Sequence, residues 1–126
     1  MSCVRKFKGI GGSFEWEGVS VQDYESSEVQ GATVRWLIGP RDKAPHFAMR
    51  YFEVEPGGWT SLDSHEHDHG VMILRGSGRV LLGDDEVEVS FGDMVYVAPY
   101  ELHQFKNVGR GPLGFLCVVP ARSEAV

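Results

Sequence analysis

The chain has 126 residues, 42% of them hydrophobic and 24% charged, a composition that buries one core, excludes intrinsic disorder and leaves little room for a second domain. Twelve Lys and Arg against eighteen Asp and Glu leave a net charge of −6, which repels phosphate backbones and anionic lipid and sets aside nucleic acid and membrane as partners. No apolar run approaches the ~20 residues that span a bilayer. Residues 1–8 carry no apolar signal-peptide core, so a cytoplasmic location is expected.

In chain order, segment 1–30 is weakly patterned and reads as an N-terminal arm. Its stretch Val4–Phe7 suits an edge strand or a dimer-contact arm, and 21–30 has room for a helical turn. Short runs rich in Val, Ile, Tyr, Phe and Trp then predict strands near 29–38, 46–55, 71–75, 78–82, 86–90, 94–98, 103–107 and 114–119. Several alternate with period two, as in Glu86-Val87-Glu88-Val89. Turn residues punctuate them at Gly39-Pro40, Pro56-Gly57-Gly58, Gly76-Ser77-Gly78, Gly83-Asp84-Asp85, Gly92-Asp93 and Gly109–Pro112. Many short strands at close spacing define an all-β sandwich or barrel over 31–120, with a frayed tail at 121–126. Cys3 and Cys117 stand at opposite ends, which excludes a disulfide scaffold and a CxxC site.

Three of the five histidines fall within five residues, His65-Glu66-His67-Asp68-His69. With Asp63 they put potential metal ligands at 63, 65, 67 and 69, all on one face if the segment is a strand. His103 follows 34 residues after His69. Imidazole and carboxylate without thiolate suit one divalent transition metal (Mn, Fe, Co, Ni, Cu or Zn) with open coordination positions. The plainer reading is a solvated acidic loop rich in histidine, with His103 a hydrogen-bonded core residue. Three histidines at alternate positions before the apolar run Val71-Met72-Ile73-Leu74 weigh against it.

The stretch from Pro56-Gly57-Gly58 through His65, His67 and His69 to Arg75-Gly76 resembles the first motif of the cupins. Gly92-Asp93, Ala98-Pro99 and His103-Gln104-Phe105-Lys106-Asn107 resemble the second. The resemblance implies a double-stranded β-helix (cupin, jelly-roll-like) barrel holding one divalent metal through ligands at 63, 65, 69 and 103. His65, His69 and His103 match. Position 63 carries Asp where the family usually has His, so Asp63 is the expected fourth ligand, with His67 the alternate. Ala98 and Tyr100 replace the family's usual Pro and Gly, and Tyr100 is expected to narrow the barrel mouth.

Cys117 lies in an apolar run and reads first as a buried small hydrophobe. The resemblance to small cupins that process methylthio-sugar phosphates adds a second reading, a thiol near the metal acting as proton donor or sulfur-handling group. Glu101 is a candidate general base at the rim. Arg35, Arg50, Arg75 and Lys106 sit on predicted strands, where one pointing inward would bind a carboxylate or phosphate.

Three functions follow. The first is a metal-dependent enzyme on a small-molecule substrate (sugar, sugar phosphate or keto acid) with isomerase, lyase or thiol-transfer chemistry. The second is an oxygen-dependent, dioxygenase-like cupin. The third is a non-catalytic module binding metal or a small acid. Cupins of this size commonly pair, so a homodimer is expected.

Overall fold

The computed structural model of the chain describes residues 1–24 and 26–121; of the expected tail, 122–126 lie outside the described residues. All eight predicted strands form, as β2 (Gln30–Ile38), β3 (Phe47–Trp59), β4 (His69–Arg75), β5 (Ser77–Leu82), β6 (Asp85–Ser90), β7 (Met94–Val97), β8 (His103–Lys106) and β9 (Leu113–Pro120). A further two-residue strand, β1 (Gln22–Asp23), stands where a helical turn had room, because Gln22 and Asp23 pair with Val34 and Thr33 of β2. The helical turns among the described residues are two single 3-10 turns, Ile10–Gly12 and Pro40–Asp42.

Every pairing is antiparallel. The sheet runs β6-β5-β8-β3-β9-β4-β7, with β2 paired to β3 and β1 to β2. This is the curled, all-β barrel of a double-stranded β-helix. β3 is its axis, since it pairs with β2, β8 and β9 along its 13 residues. It runs four residues beyond its predicted end, through Pro56-Gly57-Gly58, because Gly57 N–H donates to the Asn107 carbonyl at 3.0 Å and Trp59 pairs with Lys106.

The period-two pattern turns one set of side chains into the barrel. Val71 and Ile73 of β4, Val95 and Val97 of β7, Phe105 of β8, and Leu113, Phe115 and Val119 of β9 pack into one core with Ala48, Phe52 and Val54 of β3. Burial of each large side chain contributes about 1.5–3 kcal/mol. Within the N-terminal arm, β1 joins the sheet but the stretch Val4–Phe7 does not. Instead of an edge strand at Val4–Phe7, Phe7 makes an isolated bridge to Trp16, and Phe14 and Trp16 pack on Tyr51 with ring centroids 5.6 and 5.2 Å away. Arg5 pins the arm through a 2.5 Å ion pair with Asp42.

Candidate metal centre

The histidine-rich segment is not the strand its alternation predicts. Asp63 bridges His103, the chain bends at Glu66 and His67, and regular strand resumes at His69. The bend has a geometric consequence. In a strand, residues four apart are separated by about 13 Å, whereas here His65 Nε2 lies 3.0 Å from His69 Nε2. His103 arrives from β8, and its ring centroid is 4.8 Å from that of His65 and 5.1 Å from that of His69. One ligating atom from each of the three histidines lies within 4.8 Å of the other two, and the group ends there: neither Asp63 nor His67 belongs to it.

The tautomers fit a metal. His65 Nδ1–H donates to the His67 carbonyl at 3.1 Å, and His103 Nδ1–H donates to the Glu101 carbonyl at 2.8 Å. Each carbonyl commits the proton to Nδ1 and leaves the Nε2 lone pair facing inward. Two ring nitrogens that shared one metal at about 2.1 Å would stand roughly 3.0–3.4 Å apart, and the His65 and His69 Nε2 atoms are 3.0 Å apart. A metal on His69 Nε2 places the remaining proton on Nδ1, which lies 3.0 Å from Cys117 Sγ.

Burial disfavours the protonated form of His69 and of His103. Desolvation, then the neighbouring His103, His65 and Arg50, push His69 down to about 3. His103 is lowered chiefly by burial, although the Glu101 carbonyl works the other way. The Cys117 thiol is pushed up by burial, with the nearby Arg50 opposing. Arg50 is the inward-pointing arginine of the four candidates on strands: it is 1% exposed, its Nη2 lies 3.5 Å from Cys117 Sγ, and its guanidinium sits 4.8 Å from the Phe52 ring centre.

The three histidines, Arg50 and Cys117 line a cavity of about 40 Å³ with Asp63, Ser61, Thr60, Tyr24, Phe52, Phe105 and Phe115. Sequence reasoning brought out neither Ser61 nor Tyr24. The remaining candidates sit apart from that cavity. His67 stacks on His65 at 3.9 Å, its Nε2 buried without a partner. Glu101 contributes its carbonyl, while its carboxylate lies against Gly83, 3.0 Å from where a Cβ would stand. Tyr100 is 67% exposed.

A curled β-barrel whose inner wall gathers histidines from two separated motifs is the architecture of a cupin. Residues 50–119 match the Cupin domain family, and the chain belongs to it. It is 34% identical over 123 residues to 1-methylthio-D-xylulose 5-phosphate methylsulfurylase of Rhodospirillum rubrum, a match covering 95% of this chain and 78% of that protein. Among solved structures, a cupin 2 conserved barrel domain protein from Rhodopseudomonas palustris superposes with a TM-score of 0.81 at 38% identity, covering 94% of this chain and 81% of that one. A cupin 2 domain-containing protein from Halorhodospira halophila gives a TM-score of 0.70 at 44% identity, covering 86% and 72%.

Proposed function

We propose that this cupin is a metal-dependent enzyme acting on a small oxygenated substrate, a sugar phosphate or keto acid, by isomerase, lyase or thiol-transfer chemistry. The observation that carries the reading is the convergence of the His65, His69 and His103 ring nitrogens within 4.8 Å, two of the rings held by backbone carbonyls in the ligating tautomer. These three would hold one divalent transition metal. When bound, such an ion polarises a carbonyl or lowers the pKa of bound water.

The chain's own residues point to the kind of substrate. The buried Arg50 guanidinium gives the cavity a fixed positive charge suited to a phosphate or carboxylate. The Cys117 thiol, beside His69, supports chemistry at sulfur, and similarity to a protein named for a methylthio-sugar phosphate supports the same class. A cavity of about 40 Å³ admits only the reacting end of such a molecule. The rest would stay at the mouth.

Elemental analysis of untagged protein, purified without chelator, tests this reading. Wild type is expected to carry near one equivalent of a transition metal, and His65→Ala to lose it. A wild type that takes up none, even when supplied with Mn, Fe, Ni or Zn, would overturn the reading. Oxygen uptake during turnover would replace it with the dioxygenase alternative.

A further inference from the structure

The family match begins at residue 50, yet one wall of the metal cavity comes from the arm before it. Resting on the metalloenzyme reading above, we propose that Tyr24 is the gate of that cavity and sets the size of substrate that reaches the three histidines. Tyr24 follows β1, whose two residues are both exposed. Its N–H donates to the Ala32 carbonyl at 2.9 Å, which fixes the backbone along β2. Its ring packs on the inward-facing Phe52, centroids 5.3 Å apart, and so turns into the barrel among the residues that line the cavity.

The arm is anchored firmly away from the cavity and loosely at it. Phe14 and Trp16 pack on Tyr51, and Arg5 pairs with Asp42. At the cavity, Ser61 Oγ–H donates to Asp63 Oδ2 at 2.7 Å. That hydrogen is committed, so Tyr24 O–H donates to Ser61 Oγ, across 3.3 Å. One long neutral hydrogen bond and one ring contact on a half-buried side chain make a latch that local motion opens without unfolding the barrel.

There is space for the ring to yield to. Among the described residues, Tyr24 alone lines both the cavity of about 40 Å³ and a polar cleft of about 370 Å³ bounded by Asp23, Ser26, Thr33 and Glu55. Small-molecule sites commonly measure about 300–1,000 Å³, so the closed cavity falls short of that range and the joined space does not. With the ring seated, only a few atoms of a substrate reach the histidines. With the ring turned aside, the remainder extends into the cleft.

Cys117 reports on passage through the gate, since it lines the same cavity and is 2% exposed. The test treats full-length protein, Zn-loaded and metal-free, with methyl and benzyl methanethiosulfonate. Each forms a mixed disulfide with the thiol and releases methanesulfinic acid. Modification is followed by peptide mass spectrometry, with the exposed Cys3 as internal reference. Wild type is expected to favour the methyl over the benzyl reagent at Cys117 by at least about tenfold more than at Cys3, and Tyr24→Ala to lose most of that preference. Tyr24→Phe, which keeps the ring, is expected to retain it. Tyr24→Leu, shorter than the ring but apolar against Phe52, makes the same comparison as Tyr24→Ala with less risk to folding. The rates in both shortened variants are expected to stay flat in low urea, because an open gate exposes little surface whereas global unfolding exposes much. A preference absent from wild type, unchanged in the shortened variants, or lost only as urea unfolds them would overturn the proposal. A gate that persists in protein unable to bind metal removes the metalloenzyme reading alone, so the two failures are distinguishable.

Discussion

A histidine kept neutral by burial carries a pH signature that metal-free protein should display. The folded-state value for His69 is about 3, whereas an imidazole in the unfolded chain protonates near 6.5. Between those values the unfolded state binds a proton that the folded state refuses. Stability is therefore full above about pH 6.5, falls as pH drops, and levels off below about 3, with a ceiling of ~5 kcal/mol at about 1.4 kcal/mol per pH unit. His103 and His67 are lowered too, and add to the same slope. Urea midpoints of the chelated protein should fall steadily from pH 7 to 4.5, and His69→Gln should reduce that slope. A wild-type midpoint unchanged over this range would contradict the burial argument. At this scale the sequence was legible where residue types repeat at fixed spacing, as at His65, His69 and His103. Ser61 and Tyr24 were not legible, because a serine and a tyrosine acquire meaning only through the carboxylate they face.

Strand pattern is legible in the sequence, whereas strand phase is not. In β3 the apolar residues Phe47, Met49 and Tyr51 look like a core face, yet Ala48, Arg50, Phe52 and Val54 point inward. Phe47 remains 47% exposed. Tyr51 is buried from outside, by an arm whose partner no local pattern reveals. The visible clue was an arginine spaced by twos among Ala48, Phe52 and Val54. The 63–69 segment misled for a related reason: alternation of ligand types mimics a strand, while the Asp63–His103 bridge and the bend at Glu66–His67 set its shape. Tyr100 is the converse. It replaces the family's glycine and keeps the glycine-like backbone, with φ of 65°, held by hydrogen bonds from its N–H to the His65 carbonyl and from Ser64 Oγ to its own carbonyl. One position in β9 tolerates no side chain. A Cβ on Gly114 would stand 1.9 Å from the Tyr51 hydroxyl oxygen. Gly114→Ala must displace that ring from the arm's aromatic cluster and should cost about 1–3 kcal/mol. Chemical denaturation would show this, and an unchanged midpoint would mean that the arm does not depend on Tyr51.

At the scale of the molecule, charge and connectivity decide. Two copies of a chain with net charge −6 repel except where neither carries charge. The outward positions of β4, β7 and β9 form such a face: Gly70, Met72, Met94, Tyr96, Leu116 and Val118 alternate with the buried residues and none is charged. The expected homodimer would pair there, and Met94→Lys should convert a dimer to a monomer in sedimentation at micromolar concentration. A wild-type monomer would sink that expectation.

Connectivity makes the strongest prediction for the metal. β4 and β8 are not neighbours, since β9 and β3 lie between them in the sheet. An ion shared by His69 at the start of β4, His65 just before it and His103 at the start of β8 therefore ties two separated strands together. Binding to the folded state alone adds about 2.7 kcal/mol at a metal concentration 100 times Kd. For a chain of this length that is a rise of ~10 °C in Tm. Chelation should remove the rise in wild type, and His103→Ala should melt at the same temperature with or without metal. An equal rise in that variant would mean that the ion binds elsewhere on this acidic surface.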